Sequence, residues 1–204
     1  MMKIKLREVG KRFNREWIFR HLNLEFNTGR NYAITGPNGS GKSTLLQIIA
    51  GATTFSEGEI QYFFLNRQLP QEKVFKYISL SAPYMELIEE MTLLEFLNFH
   101  SGLKPWMPGM ITQQIISFLK LENATHKQIR NFSSGMKQRV KLAQAIFSDV
   151  PLVLLDEPTT NLDSEGILLY KNLVKNFCSG RLVIVSSNDK NEYDFCEIAI
   201  NLTS

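Results

Sequence analysis

Apolar and polar positions near the start of the chain alternate with a period of two, in Ile4 and Leu6 and again in Leu22, Leu24 and Phe26, until Thr28-Gly29 interrupts them. That period puts side chains on opposite faces of a strand and predicts short antiparallel strands. Asn31 to Thr35 is a compact apolar strand, and beyond Lys42 the spacing of Leu45, Leu46, Ile48 and Ile49 becomes that of an amphipathic helix. Glu57 to Phe64 predicts a turn into another strand, and Val74 to Ser81 a buried one. The pattern then turns helical. Thr92-Leu93-Leu94-Glu95 has the spacing of a capping box and opens a helix through about Ser101; Pro108 opens a second along Ile111, Ile115, Ile116 and Leu119; Ser133-Ser134-Gly135 opens a third. Pro151-Leu152-Val153-Leu154-Leu155 lacks alternation, as a strand covered on both faces does, and is followed by a helix from Ser164 and a strand from Arg181 to Ser186. Strands alternating with helices predict an α/β fold on a mostly parallel sheet, with an N-terminal antiparallel β subdomain and a helical lobe inserted at about 86–147. No repeat or low-complexity segment divides the chain, so 1–204 is expected to be a single domain.

Composition narrows this picture little. With 204 residues, 44% of them hydrophobic, the chain can bury one sizeable core. No apolar run approaches the roughly 20 residues that span a bilayer, and Met1-Met2-Lys3-Ile4-Lys5-Leu6 lacks the apolar core of a signal peptide. A cytoplasmic location is expected, with any membrane role supplied by a partner. Cys178 and Cys196 have no metal spacing and are expected to be plain buried thiols. The net charge of +3 is spread over Lys11-Arg12, Lys137-Gln138-Arg139 and Lys171, too thin to predict a nucleic-acid surface. His21, His100 and His126 stand in no catalytic context and are expected on the surface or in packing.

The chemistry is concentrated in two places. Gly36-Pro37-Asn38-Gly39-Ser40-Gly41-Lys42-Ser43-Thr44 completes G-x-x-x-x-G-K-S/T between a strand and a helix. There the glycines let backbone N–H groups converge on phosphate oxygens at the positive end of a helix. Lys42 is placed to reach the β and γ phosphates, Ser43 to ligate Mg²⁺ and Thr44 to meet the α-phosphate. The second place is Asp156-Glu157, two carboxylates at the carboxyl end of an apolar strand, the edge where α/β folds bind ligands. Alone they read equally well as solvated acids. Beside a phosphate loop, Asp156 reads as a Mg²⁺ holder and Glu157 as the base that polarises a water in line with the γ-phosphate.

In this order of motifs the chain resembles the ATP-binding subunit of ABC transporters over almost its whole length. Phe132-Ser133-Ser134-Gly135-Met136 stands in the place of the family's Leu-Ser-Gly-Gly-Gln signature and runs on into Lys137-Gln138-Arg139-Val140-Lys141-Leu142-Ala143-Gln144-Ala145. By itself Ser133-Ser134-Gly135 reads first as a well-capped helix start, and the sequence after it with the spacing to Asp156 reverses that order. The resemblance implies a P-loop NTPase core of the ABC type and a head-to-tail homodimer, or heterodimer with a similar subunit. Two ATP molecules would lie between the phosphate loop of one protomer and Ser133, Ser134 and Gly135 of the other. It also implies separate transmembrane permease subunits and a peripheral place on the inner face of the cell membrane. Asn161-Leu162-Asp163 matches the loop whose aspartate couples the two sites, and Asp163 also suits a helix N-cap. Phe13 matches the aromatic that stacks on adenine, a core or β-surface role being its alternative.

Two positions depart from the family. Ala82 takes the place of a glutamine that contacts Mg²⁺ and the attacking water, and a methyl group does neither. Asn188 stands where the family has a catalytic histidine; it keeps a donor and an acceptor but carries no charge and shuttles no proton. Ser134 and Met136 also dilute the signature. Expected, then, is an ATPase subunit powering a transporter, slowed at Ala82 and Asn188. The alternatives are a nucleotide-gated module with feeble hydrolysis, or a soluble relative acting on ribosomes or DNA. That last group usually carries two cassettes or a long coiled-coil insertion, and neither occurs in this chain.

Overall fold

The computed structural model describes residues 1–202. It begins with a hairpin of β1 (Met2–Phe13) and β2 (Glu16–Asn27), each 12 residues long. These strands exceed the short ones that alternation predicts. Register shifts between Leu6 and Val9 and on to Arg12 break the period of two while pairing continues to Phe13 opposite Glu16. From β3 (Asn31–Thr35) the chain passes through the phosphate loop into α1 (Lys42–Ile49), then returns to the first sheet as β4 (Glu57–Phe64) and β5 (Arg67–Leu69). That sheet has the order β2-β1-β4-β5, with antiparallel neighbours throughout.

A correction follows. Only β6 (Ile78–Ser81) of the expected strand from Val74 is extended; Gln71–Tyr77 winds as a 3-10 helix, with Pro70 before it and Val74 as its buried plug. Proline fixes the entry to the turn, and with Phe75 exposed a single buried apolar residue, Val74, among Glu72, Lys73 and Lys76 is too little to pair as a central strand. Next come α2 (Leu93–Leu103), whose Thr92–Glu95 capping box forms as expected, and α3 (Thr112–Phe118). Pro108 does not open α3. It belongs to a turn closed by the Met110 N–H on Met107 O at 3.0 Å, with Gly109 at φ 80°, and the helix starts only after Ile111. α4 (Ser134–Ile146), β7 (Leu152–Asp156), α5 (Ser164–Phe177), β8 (Leu182–Ser186), the single turn α6 (Lys190–Tyr193) and β9 (Ile198–Asn201) complete the chain.

The second sheet has the order β6-β7-β8-β3-β9 and every pairing is parallel. All five residues of β7 and of β8 are buried. Leu152, Leu154, Leu182 and Ile184 pack with α1 and the antiparallel sheet, while Val153, Leu155, Val183 and Val185 pack with α2 to α5. Two cores on one sheet explain why these strands are apolar up to their last residues, Asp156 and Ser186. Arg181 locks their amino ends: its guanidinium donates to Ile146 O at 2.6 Å and to Phe177 O, carbonyls at the ends of α4 and α5, and to Ser148 O at 3.1 Å. Among the described residues no helix is long and apolar enough to cross a membrane.

Candidate nucleotide site

At the carboxyl edge of the parallel sheet, β3 turns into the loop 36–41 and α1. Two glycines make that turn possible. Gly36 has φ 143° and Gly41 φ 93°, and a Cβ would come within 2.4 Å of Leu202 O at the first and of Ile18 Cγ2 at the second. Gly41 caps α1 with no side chain, so the first amides of the helix stay free for an anion. Lys42 is buried, and its ammonium donates to Gly36 O at 2.8 Å and Pro37 O at 3.2 Å. A cation is thus held on the loop, whose own Ser40 N–H closes on Pro37 O at 3.1 Å. Asn38 and Gly39 are exposed, and Ser43 and Thr44 are half-buried on the first turn of α1.

β7 delivers its two acids into opposite environments. Asp156 is 1% exposed and its Oδ1 has no hydrogen-bond partner. Burial raises its pKa; the Ser43 and Ser186 hydroxyls lower it, the Glu157 carboxylate raises it and the Lys42 charge lowers it. A desolvated carboxylate beside hydroxyls suits a hard cation that takes oxygen ligands, so Ser43 and Asp156 fit Mg²⁺. Glu157 is exposed, with φ 41°, and its N–H donates to Ser186 O at 2.9 Å. The register of β7 on β8 sets Asp156 beside Ser186, which brings the turn after β8 to the same edge. From that turn Asn188 reaches the phosphate loop: its Oδ1 accepts from Gly36 N–H at 3.2 Å and its Nδ2 donates to Asn38 Oδ1 at 3.2 Å. Asn188 therefore bonds to the loop. Ala82 is fully buried past the end of β6, and no other atom of its side chain could reach the edge.

The signature segment lies at a different place. Ser133 caps α4, accepting from Met136 N–H at 3.2 Å, and Ser134 is exposed. A Cβ on Gly135 would stand 3.0 Å from Asn161 O, so the glycine lets the turn that carries Asp163 close against α4. Ser133, Ser134, Gly135, Arg139, Asn161 and Asp163 share an open depression of about 440 Å³ that no residue of the phosphate loop lines. Asp163 caps α5 through Gly166 N–H at 2.8 Å and is otherwise solvated, with the Arg139 guanidinium 3.9 Å away. Phe13 is 51% exposed at the tip of the first hairpin.

Sequence reasoning missed two supports. Lys11 is buried, bonds Thr54 O at 2.7 Å and sets its ammonium 4.6 Å from the Phe13 ring centre, covering one face of the ring. Gln138, buried in α4, donates to Pro158 O at 2.8 Å beside Glu157. Neither had a local signal, because each partner lies at least 20 residues away.

Phosphate loop, buried acid and capped helix α4 together define a P-loop nucleotide-binding protein. The family follows from comparison with known proteins: residues 19–160 match the family model for the ABC transporter ATP-binding domain, and the chain belongs to that family. It is 30% identical over 197 residues to the lantibiotic transport ATP-binding protein SrtF of Streptococcus pyogenes, covering 94% of this chain and 82% of that protein. It is 33% identical over 153 residues to the cytochrome c biogenesis ATP-binding export protein CcmA of Xylella fastidiosa, covering 75% of this chain and 68% of the relative. Among solved structures it resembles the ATP-binding cassette MJ0796, a dimer in a post-hydrolysis state with ADP and Pi, at a TM-score of 0.83 and 27% identity, covering 98% of this chain and 94% of that one.

Proposed function

We propose that the chain, acting as one cassette over 1–204, binds and hydrolyses ATP to drive a transporter whose membrane-spanning permease is a separate chain. The observation that carries this reading is the buried carboxylate of Asp156, its Oδ1 without a hydrogen-bond partner, beside Ser43 at the mouth of the phosphate loop. Gly36, Pro37, Asn38, Gly39, Ser40 and Gly41 form the cradle for the phosphates, Lys42 swings from the loop carbonyls onto the β and γ phosphates, and Thr44 meets the α-phosphate. Mg²⁺, held by Ser43 and Asp156, would neutralise charge that develops on the phosphates. Glu157, solvated and adjacent, takes the proton of the attacking water. Asn188 orients the loop toward the γ-phosphate, and Phe13 offers its free face to adenine.

A divided site needs a second copy. Ser133, Ser134 and Gly135 of one protomer would close on the nucleotide in the other's phosphate loop, with Asp163 at the junction, as a homodimer or with a similar subunit. The dimeric state of MJ0796 with ADP and Pi supports this arrangement. The permease is expected on the face formed by Pro83, Tyr84, Met85, Glu86, Lys137 and Lys141, which would hold the cassette on the inner side of the membrane. Ala82 and Asn188 support a second reading, in which ATP gates closure but is cleaved slowly. Purified protein with Mg²⁺-ATP decides between them: phosphate release abolished by Glu157→Gln supports the ATPase, and ATP-dependent dimerisation without phosphate release overturns it.

A further inference from the structure

The turn that carries Glu157 is gripped from two sides. Beyond β7 the backbone passes through φ 41° at Glu157 and φ 66° at Asn161, the left-handed region that side-chain-bearing residues seldom enter. Thr160 N–H closes on Glu157 O at 3.1 Å and Leu162 N–H on Thr159 O at 2.9 Å, so residues 157–162 form two linked turns. One grip is Gln138 on Pro158 O. The other is Glu192 in α6, 4% exposed, whose Oε1 accepts from Thr159 N–H at 2.7 Å and from Thr159 Oγ1 at 2.5 Å. The backbone of Glu192 is fixed in turn, since its carbonyl accepts from the Tyr170 hydroxyl at 2.7 Å on α5.

A buried carboxylate is costly in a site that packing alone could fill with an apolar side chain. Burial raises the pKa of Glu192, against the Ser187 hydroxyl and the hydroxyl and amide of Thr159, which hold it down. What the acid supplies is an acceptor strong enough to take two donors of a loop held in an unfavourable backbone conformation. It also sits four residues beyond Asn188, on the segment that touches the phosphate loop.

We propose that Glu192 is the positioning residue for Glu157: through Thr159 it sets the turn that aims the base, and it ties that turn to the segment carrying Asn188. The proposal rests on Glu157 being the base of ATP hydrolysis. Residues 157–162 move as a bonded unit, so a shift at Thr159 displaces the Glu157 carboxylate, and a misplacement of about 1 Å costs on the order of 10²-fold in rate.

The test compares the full-length wild type with Glu192→Ala and Glu192→Gln. Loss of the acceptor in Glu192→Ala should lower kcat by about tenfold or more while the KM for ATP and the affinity for a fluorescent ATP analogue stay within about twofold. Glu192→Gln keeps an oxygen facing Thr159 and should retain most of kcat. Amide hydrogen exchange provides a readout without catalysis: residues 157–163 should exchange faster in Glu192→Ala, and residues 36–44 should not. If the wild type itself releases no phosphate, the role of Glu157 falls, and the exchange pattern alone decides whether the clasp exists. The proposal is overturned if Glu192→Ala keeps wild-type kcat, if Glu192→Gln is as slow as Glu192→Ala, if exchange at 157–163 is unchanged, or if kcat, nucleotide affinity and exchange across the whole chain deteriorate together.

Discussion

Lys42 and Asp156 are opposite charges buried at one edge, each waiting for what the other lacks. The ammonium of Lys42 is satisfied by two loop carbonyls, so its removal should leave the fold intact. Its expected cost falls on the ligand: Lys42→Ala should weaken ATP binding roughly 10- to 100-fold, the worth of hydrogen bonds to a charged group. Nucleotide titration by fluorescence measures this, and unchanged affinity would remove Lys42 from the site. Asp156 carries the inverse expectation. Because burial raises its pKa, ionisation in the folded chain costs stability as pH rises out of the ordinary carboxylate range through the raised value. Asp156→Asn should therefore stabilise the nucleotide-free protein at neutral pH by about 1 kcal/mol or more, in the manner of removing an unpaired buried charge. It should also erase the added thermal protection that Mg²⁺ gives over ATP alone. A melting scan with ATP, with and without Mg²⁺, reads both effects, and an equal Mg²⁺ shift in wild type and variant would place the metal elsewhere. At Asn188 the structure separates two duties. Its amide bridges Gly36 and Asn38, whereas the charge of a histidine would act on the γ-phosphate. Asn188→His should raise kcat, by roughly tenfold if one electrostatic contact is restored; an unchanged kcat would mean that another group already fills the role.

Elements show where local sequence suffices and where it does not. The Thr92 capping box and the Ser133 and Asp163 caps were legible because each is closed by a residue three positions away. β7 was legible because burial on both faces leaves Leu152 to Leu155 without a polar residue. What stayed hidden is contact across the chain. Lys11 looked like half of a surface basic pair until Thr54 gave it a partner 43 residues away, and Glu192 acquires its meaning only from Thr159, 33 residues back. The 3-10 helix at Gln71–Tyr77 defeated a strand pattern because Val74 alone is buried there. His100 belongs to the same class. On α2 it lies between the Ser148 hydroxyl at 3.0 Å and the Gln144 amide at 3.1 Å, stacked on Trp106 at 4.9 Å, a packing residue as expected. Burial, with Lys104 adding repulsion, lowers its pKa to about 4. The unfolded imidazole, near its ordinary value, takes a proton at higher pH than the folded one. Its contribution is thus complete above about pH 6.5 and is lost as pH falls toward 4, by about 2 kcal/mol for a ring partly reached by water. Urea midpoints at pH 7 and pH 4.5 should diverge more for the wild type than for His100→Gln; parallel shifts would mean that the ring titrates normally.

The whole molecule is one half of a machine, and its geometry says how to test for the other half. Ser133, Ser134 and Gly135 stand over a depression that the chain's own phosphate loop does not line. If two copies close head to tail, the exposed Ser134 meets the triphosphate bound in the partner, and an acid there opposes like charge while leaving the chain's own cradle untouched. If Glu157 is the base, Glu157→Gln traps ATP and should therefore elute as a dimer with Mg²⁺-ATP and as a monomer with ADP. Adding Ser134→Glu should return it to a monomer at full nucleotide occupancy, because the repulsion acts only across the interface. Light scattering coupled to gel filtration, with bound nucleotide quantified in the same fractions, separates the cases. A dimer that survives Ser134→Glu would place the second copy on another face, and loss of nucleotide together with the dimer would mean that Ser134 acts within its own chain.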